Sequence, residues 1–143
     1  MTIPATNPIF MKIGQDLFAR KMGIELQEVR PGYSRVGMTL TPDMLNFHGI
    51  PHGGAIFSLA DAAFAAASNS HGQTAVALSV TISFLAAAEP GSHLVAEAQE
   101  IHKGHRSGFY QIAVRKETGD LIATCQAVVY RKQEFFVERT PES

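Results

Sequence analysis

The stretch NFHGIPHGGAIFSLADAAFAAASNSHG, residues 46–72, decides the architecture of this chain. Residues 54–69 would be apolar nearly all round a helix, and Gly72 is suited to end it. A helix with so little polar surface is buried on most sides. The single carboxylate in its middle, Asp61, is therefore the residue that most needs an explanation.

The rest of the chain alternates in the manner of β-strands. Residues 24–29 and 33–40 flank a Pro-Gly turn, which predicts a hairpin before the helix. Four further strands are predicted after the helix, at residues 75–84, 93–103, 109–116 and 121–130. Strict alternation places these large side chains on one face of the first: Val76, Leu78, Val80, Ile82 and Phe84. Consecutive hairpins predict an antiparallel sheet curved around the helix, which makes the fold class α+β.

The two ends of the chain lie outside this core. Residues 9–20 carry apolar side chains at a helical spacing, which predicts a short amphipathic helix. Residues 138–143 are polar and are expected to be frayed. We find no repeat, linker or change of composition. Residues 1–143 are therefore predicted to form one domain, with residues 1–20 as a helical segment and residues 133–143 as a tail.

Composition and charge argue against several classes of protein. The net charge of -1 comes with no basic block, so nucleic-acid binding is not expected. The single cysteine, Cys125, rules out an intrachain disulfide, fits a reducing compartment and is predicted to be a core thiol. We recognise no signal peptide and no membrane span, so a cytoplasmic protein is expected. Only 17% of the residues are charged, which suggests surface buried between subunits.

The start of the predicted helix, His52-Gly53-Gly54, is suited to bind an anion. The first N–H groups of a helix have no partner within it, and the helix dipole is positive at that end. Glycines let a ligand approach the backbone closely. A phosphate, a carboxylate or the oxyanion of an acyl transfer would fit there. A simple turn into the helix would equally explain the glycines.

Asp61 is a candidate general base or nucleophile. Aspartate is a poor residue for a helix interior, and apart from Ser58 every neighbour within a turn is apolar. A partly desolvated carboxylate can serve in either role near pH 7. A solvent-facing position, or a hydrogen bond with Ser58 or a strand threonine, would also account for it.

Gly53 and Asp61 are too far apart to act on one atom within a single chain. Eight residues of helix span about 12 Å, whereas groups that act on one carbonyl lie within about 3 Å of it. If both belong to one site, they must come from different subunits. An antiparallel pair of helices about a two-fold axis would achieve this, which predicts an obligate homodimer with two equivalent sites.

The loop before the helix holds further candidates. His48 and His52 have an i, i+4 spacing, but Pro51 opposes a helix there and no acid or cysteine completes a ligand set. No metal site is therefore predicted. Asn46 and His52 could orient a substrate or a water by hydrogen bonding, or could stabilise their own loop.

The later part of the chain offers weaker signals. Lys103, His105 and Arg106 form a basic hairpin that could hold the phosphates of a long ligand or could simply be solvated. No glycine-rich nucleotide motif occurs, so no cofactor is predicted. The remaining histidines are expected at the surface: His71, His93 and His102.

The pattern NxxGxxHGGxxFxLAD, which runs from Asn46 to Asp61, resembles the hot-dog-fold thioesterases of the PaaI (phenylacetic acid degradation) type. The segments TISFLAAAEPGSHLVAEA and ATCQAVVYRK continue the similarity. The resemblance extends over residues 26–132. It implies a long central helix wrapped by an antiparallel sheet, dimers that pair their sheets edge to edge, and a dimer-of-dimers tetramer.

The same resemblance implies hydrolysis of acyl-CoA thioesters to a free acid and CoA. By analogy, the Gly53 N–H polarises the thioester carbonyl, and Asp61 of the partner subunit is the nucleophile or the base. Asn46 and His52 would assist in binding and orientation. The substrate would also be contacted by Gly54, Phe57, His105 and Arg106.

The acyl group and two alternative functions stay open. The family name favours aryl-acetyl thioesters, phenylacetyl-CoA or hydroxyphenylacetyl-CoA, although no side chain in the sequence specifies an aromatic acyl group. One alternative is a non-catalytic acyl-CoA-binding hot-dog protein, which would not need Asp61. The other is a hot-dog dehydratase, whose Asp and His pattern does not occur here.

Overall fold

Six antiparallel strands form one sheet, and a single long helix packs against it. The computed structural model describes residues 1–138. The helices and strands, in chain order, are α1 (Pro8–Ile13), α2 (Leu17–Lys21), β1 (Glu25–Arg30), β2 (Tyr33–Thr39), α3 (Gly53–Ser68), β3 (Gln73–Phe84), β4 (His93–Lys103), β5 (Ser107–Lys116) and β6 (Leu121–Phe135), with a 3₁₀ turn at Pro42–Met44. The predicted α+β class is confirmed.

The long helix α3 begins and ends within one residue of its predicted bounds. His52 precedes it in an extended conformation, and its Nδ1 accepts a hydrogen bond from the Gly54 N–H at 2.9 Å. At the other end the Asn69 side chain donates to the Ala65 carbonyl at 2.9 Å. Gly72 then adopts a φ of 81°, a region that favours glycine, and turns the chain into β3.

The order of the strands differs from the predicted run of hairpins. The sheet has the order β1-β2-β4-β5-β6-β3, so β3 pairs with β6 at one edge instead of with β4. The turn at residues 89–92 therefore does not close a hairpin. The chain crosses there from the β3 edge, past β6 and β5, to the middle of the sheet, where β4 pairs with β2 and β5.

A β-bulge in β3 corrects the predicted alternation of its side chains. The register with β6 shifts between Ala77 and Ser79, which leaves Leu78 as an extra residue. Val76 and Leu78 consequently do not share the inward face with the other three residues named above, and Leu78 is 64% exposed. Val80, Ile82 and Phe84 pair with small inward-facing residues of β6 and point toward α3.

Only one side of α3 is covered by its own sheet. The buried side consists of Ala55, Ile56, Leu59, Ala60, Ala63, Phe64, Ala66 and Ala67. The other side, here called the open face, is half-buried or exposed and consists of Gly54, Phe57, Ser58, Asp61, Ala62 and Ala65. A helix that is apolar nearly all round thus keeps a largely apolar face uncovered in the single chain.

Both ends of the chain also differ from prediction. The single helix expected over residues 9–20 is broken into α1 and α2, because Gly14 ends the first and the Asp16 carboxylate caps the second by accepting from the Ala19 N–H at 2.9 Å. β6 runs five residues further than predicted, to Phe135, and so includes part of the predicted tail. Residues 139–143 lie outside the described part of the chain.

Candidate active site

The N-terminus of α3 presents one free backbone donor. The Gly54 N–H is taken by His52 Nδ1, and the Ala55 and Ile56 N–H groups both donate to the His52 carbonyl. Within residues 1–138, the Gly53 N–H has no acceptor. The geometry therefore leaves, at the positive end of the helix dipole, a donor of the kind that an oxyanion needs.

Asn46 organises the loop that leads to this donor. Its Oδ1 accepts from the His48 N–H at 2.9 Å and from the Ile50 N–H at 3.3 Å, and its own N–H donates to the Ile50 carbonyl. Gly49 has a φ of 78°, which lets the loop turn tightly. The side-chain oxygen of Asn46 thus stabilises its own loop, which was one of the two roles considered for this residue. Nδ1 of His52 likewise stabilises the chain itself, by capping the helix.

Asp61 lies on the open face of α3 without a hydrogen-bond partner among the described residues. Ser58, one of its possible partners, instead donates to the Gly54 carbonyl at 2.8 Å. Burial, reinforced by the nearby charge of Asp16, raises the pKa of Asp61 above its ordinary value. A half-buried carboxylate with a raised pKa and free lone pairs is suited to accept a proton or to attack a carbonyl.

Cys125 lies under the same part of the helix and is a core residue, as predicted. Its side chain is 1% exposed. Burial, followed by the charge of Asp61, raises the pKa of this thiol to about 11. The thiol is therefore protonated at neutral pH and is not an available nucleophile.

An apolar wall lies next to the free donor. Cζ of Phe84, at the end of β3, is 3.3 Å from the position that a Cβ on Gly53 would occupy. Phe57, on the open face one turn further along α3, is half-buried. The sequence predicts a role for Phe57 but none for Phe84, because Phe84 lies far from Gly53 along the chain.

A single chain does not bring all the predicted site residues together. Gly53 and Asp61 lie on one unbroken helix, so the separation of about 12 Å along its axis holds in the structure. His105 and Arg106 are exposed in the β4–β5 hairpin. That hairpin lies near the other end of α3, since the Arg106 carbonyl accepts from the Arg131 N–H and the Arg131 side chain reaches the last residue of the helix.

The C-terminal end of α3 holds a buried polar network that the sequence analysis missed. The guanidinium of Arg131, 1% exposed, donates to Glu100 Oε1 and to Tyr110 Oη, each at 2.8 Å, and to the Ser68 carbonyl at 3.3 Å. The Tyr110 hydroxyl donates to the same carboxylate oxygen at 2.8 Å. One signal could have revealed the network: Arg131 follows Ala127 and Val129 at the inward-facing positions of β6.

His71 belongs to this network, which corrects its predicted surface position. Its Nε2 lies 3.2 Å from Glu100 Oε1, and the ring is half-buried. Burial lowers the pKa of His71 and outweighs the opposing influence of the Glu100 charge. His102 is exposed, as predicted, and His93 is half-buried beside Thr39.

The described residues contain neither a cluster of metal ligands nor a membrane-spanning helix. Nowhere in residues 1–138 do three His, Cys, Asp or Glu side chains meet in a way that could hold a metal ion. No helix in this part of the chain is long and apolar enough to cross a membrane.

Comparisons with known proteins were made for both sequence and structure. Residues 48–123 match the family described as the thioesterase superfamily. The acyl-coenzyme A thioesterase PaaI of Escherichia coli is 40% identical over 116 residues, which cover 81% of this chain and 83% of that protein. The structure of E. coli PaaI, from the phenylacetic acid degradation operon, superposes with a TM-score of 0.84 at 38% identity and covers 87% of this chain and 91% of that one. A mutant of the phenylacetic acid degradation protein PaaI of Thermus thermophilus superposes with a TM-score of 0.79 at 35% identity. The match covers 82% of this chain and 100% of that one.

Proposed function

The chain belongs to the thioesterase superfamily, has the hot-dog fold and is a thioester hydrolase, and we propose that it hydrolyses acyl-CoA thioesters to the free acid and CoA. The observation that carries the proposal is the half-buried carboxylate of Asp61 on the open face of α3, which has no hydrogen-bond partner within residues 1–138. A protein that only binds its ligand has no need of such a costly group. The E. coli relative, named an acyl-coenzyme A thioesterase, supports the choice of CoA esters.

The chemistry assigns complementary roles to the two ends of the site. The free Gly53 N–H donates to the thioester oxygen and stabilises the negative charge that develops there. Asp61 either takes a proton from water, which attacks the carbonyl carbon, or attacks that carbon itself to give an anhydride that water then opens. In both routes the carbon–sulfur bond breaks, and the CoA thiolate leaves and is protonated.

The site is proposed to be shared between two subunits. Because Gly53 and Asp61 of one chain lie about 12 Å apart along α3, we propose that the Gly53 donor of one chain works with Asp61 of the partner subunit. Two α3 helices packed antiparallel through their open faces would meet this requirement and would cover the apolar surface that one chain leaves exposed.

The outer edge of β3 supports such a dimer. β3 is a twelve-residue edge strand whose second edge pairs with no strand in the described part of the chain. It exposes Val76 and Leu78. A long apolar edge of this kind is a template for pairing with another strand. We propose edge-to-edge pairing of two sheets, and a tetramer built from two such dimers.

The remaining residues are assigned to substrate binding. In the proposed dimer, Nδ2 of Asn46 and Nε2 of His52 remain available to orient the thioester, because hydrogen bonds within the described part of the chain occupy only the Oδ1 of Asn46 and the Nδ1 of His52. Gly54 and Phe57 line the helix N-terminus and the open face, next to the reacting carbonyl. His105 and Arg106 are proposed to hold CoA phosphates through a neighbouring subunit, since their own hairpin lies near the far end of α3.

The acyl group is proposed to be aryl-acetyl, that is, phenylacetyl or hydroxyphenylacetyl. The apolar side chains beside the Gly53 donor favour an uncharged acyl group with a ring. The names of the E. coli and T. thermophilus relatives, which refer to phenylacetic acid degradation, agree with this choice.

A thiol-release assay tests the proposal. The purified protein is offered a panel of aromatic and aliphatic CoA thioesters, and free CoA is measured with a thiol reagent. We expect release above the uncatalysed rate, with phenylacetyl-CoA and its ring-hydroxylated forms among the best substrates. If the protein binds the esters yet releases no thiol above background, the enzymatic proposal fails.

A further inference from the structure

Phe84 lies beside Gly53 in the fold, although the two residues are far apart in the sequence. It is the last residue of β3, its inward-facing pairing partner is the fully buried Ala123, and the tip of its ring is aimed at the backbone of Gly53. Although the side chain points toward α3, it is 53% exposed. A large ring thus stands half-uncovered beside the free donor of α3.

The distance from this ring to the donor fixes what it can touch. Cζ of Phe84 lies 3.3 Å from an ideal Cβ on Gly53, and such a Cβ is about 2.5 Å from the nitrogen of the same residue. The ring tip is therefore no more than about 6 Å from the Gly53 nitrogen. A thioester oxygen bound to that N–H is about 3 Å from the nitrogen, so an acyl group that extends from its carbonyl carbon toward β3 is long enough to reach the ring.

We propose that Phe84 determines which acyl group the site accepts, its ring being the surface on which an aromatic acyl group packs. This inference rests on the proposed thioesterase function and names the contact that would select its substrate. Two aromatic rings gain from an offset or edge-to-face arrangement beyond the area that they bury. An acetyl group is too small to cover the ring and gains little from it.

The chemistry of the wall supports an uncharged acyl group. The Phe84 ring and Gly53, which has no side chain, offer no charge and no polar side-chain group. A substrate whose acyl chain ends in a carboxylate would lose hydration there without compensation. The selectivity that this wall provides is therefore for ring-bearing, apolar acyl groups.

Binding of inert analogues separates this inference from the chemistry of hydrolysis. Two CoA thioethers, S-(2-phenylethyl)-CoA and S-ethyl-CoA, replace the carbonyl of the corresponding esters by a methylene and cannot be hydrolysed. Their dissociation constants are measured by calorimetry for the wild type, Phe84→Ala, Phe84→Leu and Phe109→Ala. Phe109 is a matched control, because it is 44% exposed on a different strand, β5, and points away from α3. Size-exclusion chromatography checks that each variant keeps the oligomeric state of the wild type.

Phe84→Ala is expected to weaken binding of the phenylethyl thioether about tenfold or more, and that of the ethyl thioether by less than about twofold. Phe84→Leu should fall between wild type and alanine, and Phe109→Ala should match wild type. Equal weakening of both analogues, no weakening of either, or a wild type without preference for the ring would overturn the inference.

Rates on the corresponding esters keep the two proposals distinguishable. If the wild type releases no thiol but its preference for the phenylethyl thioether depends on Phe84, the proposed function fails and the inference stands. If the esters are hydrolysed with the same discrimination in Phe84→Ala, the function stands and the inference fails.

Discussion

Asp61→Asn is expected to lower kcat for thioester hydrolysis by about 10²-fold or more, the scale of a positioned acid–base group. Asparagine keeps the shape of the side chain but can neither accept the proton of water nor attack the carbonyl. In the wild type, the raised pKa of Asp61 should move the acid limb of the rate profile above the ordinary aspartate value of 3.8, because only the ionised form acts. A near-normal rate in the variant would remove Asp61 from the mechanism.

The stability of the same variant separates loss of chemistry from loss of structure. A native pKa above the unfolded value means that ionisation of Asp61 destabilises the native state; the penalty is absent well below pH 3.8 and complete above the raised native pKa. Asp61→Asn removes this penalty, so the variant should unfold at a higher temperature than wild type at pH 7 and lose that advantage in acid. A variant that is both inactive and less stable at pH 7 would indicate a structural role. Thermal melts at fixed protein concentration provide the measurement.

Glu100→Ala is expected to lower the free energy of unfolding by about 3–5 kcal/mol, the cost of leaving a buried charge without its partner. The guanidinium of Arg131 is 1% exposed and, of its partners within residues 1–138, would keep the Tyr110 hydroxyl and the Ser68 carbonyl. Because that carbonyl belongs to the last residue of α3, the loss should also loosen the helix that carries Gly53 and Asp61. Urea unfolding followed by circular dichroism gives the difference.

Another ion pair on the same molecule serves as the control. Glu89 pairs with Lys116 at 2.8 Å, but its side chain is 68% exposed, and such pairs contribute little. Glu89→Ala should therefore change the urea midpoint far less than Glu100→Ala. Similar midpoints for the two variants would show that the buried network does not stabilise the fold.

The pattern of apolar and polar residues was sufficient to predict the six strands and the central helix. The apolar composition of α3 and the glycines on either side of it predicted both ends to within one residue, because helix formation and termination depend on neighbouring residues. Regular alternation likewise identified all six strands. The break between α1 and α2 was also encoded locally, in Gly14 and Asp16, but the run of apolar residues around them obscured it.

Features that depend on distant residues could not be found in this way. The pairing of β3 with β6 depends on which strand edges are free once the other strands have paired. The bulge at Leu78 places the side chains before it on the opposite face from the one that strict alternation predicts. The Phe84 ring lies against Gly53, and Arg131 pairs with Glu100, which is 31 positions away; in both cases the partners are far apart in the chain. The sequence was equally compatible with a hydrogen bond between Ser58 and Asp61; in the structure, Ser58 donates to the Gly54 carbonyl instead.

If the site is shared between two subunits, one variant should remove the half supplied by Gly53 and another the half supplied by Asp61. Gly53 is the first residue of α3, where proline is well tolerated, and the extended conformation of His52 suits a residue before proline. Gly53→Pro therefore removes the proposed oxyanion donor while keeping the helix start. Gly53→Ala keeps the N–H and adds the same Cβ, so it controls for crowding against Phe84, which lies 3.3 Å away.

The most direct measurement is thioester hydrolysis by mixed dimers of Gly53→Pro and Asp61→Asn subunits, unfolded and refolded together in equal amounts. In a heterodimer with shared sites, one of the two sites combines an intact Gly53 with an intact Asp61 of the partner subunit. Since about half of the dimers are mixed and one of two sites works in each, about a quarter of the wild-type activity should return, although each variant alone is nearly inactive. No gain in activity in verified heterodimers would contradict the account, because it would mean that each chain supplies its own complete site.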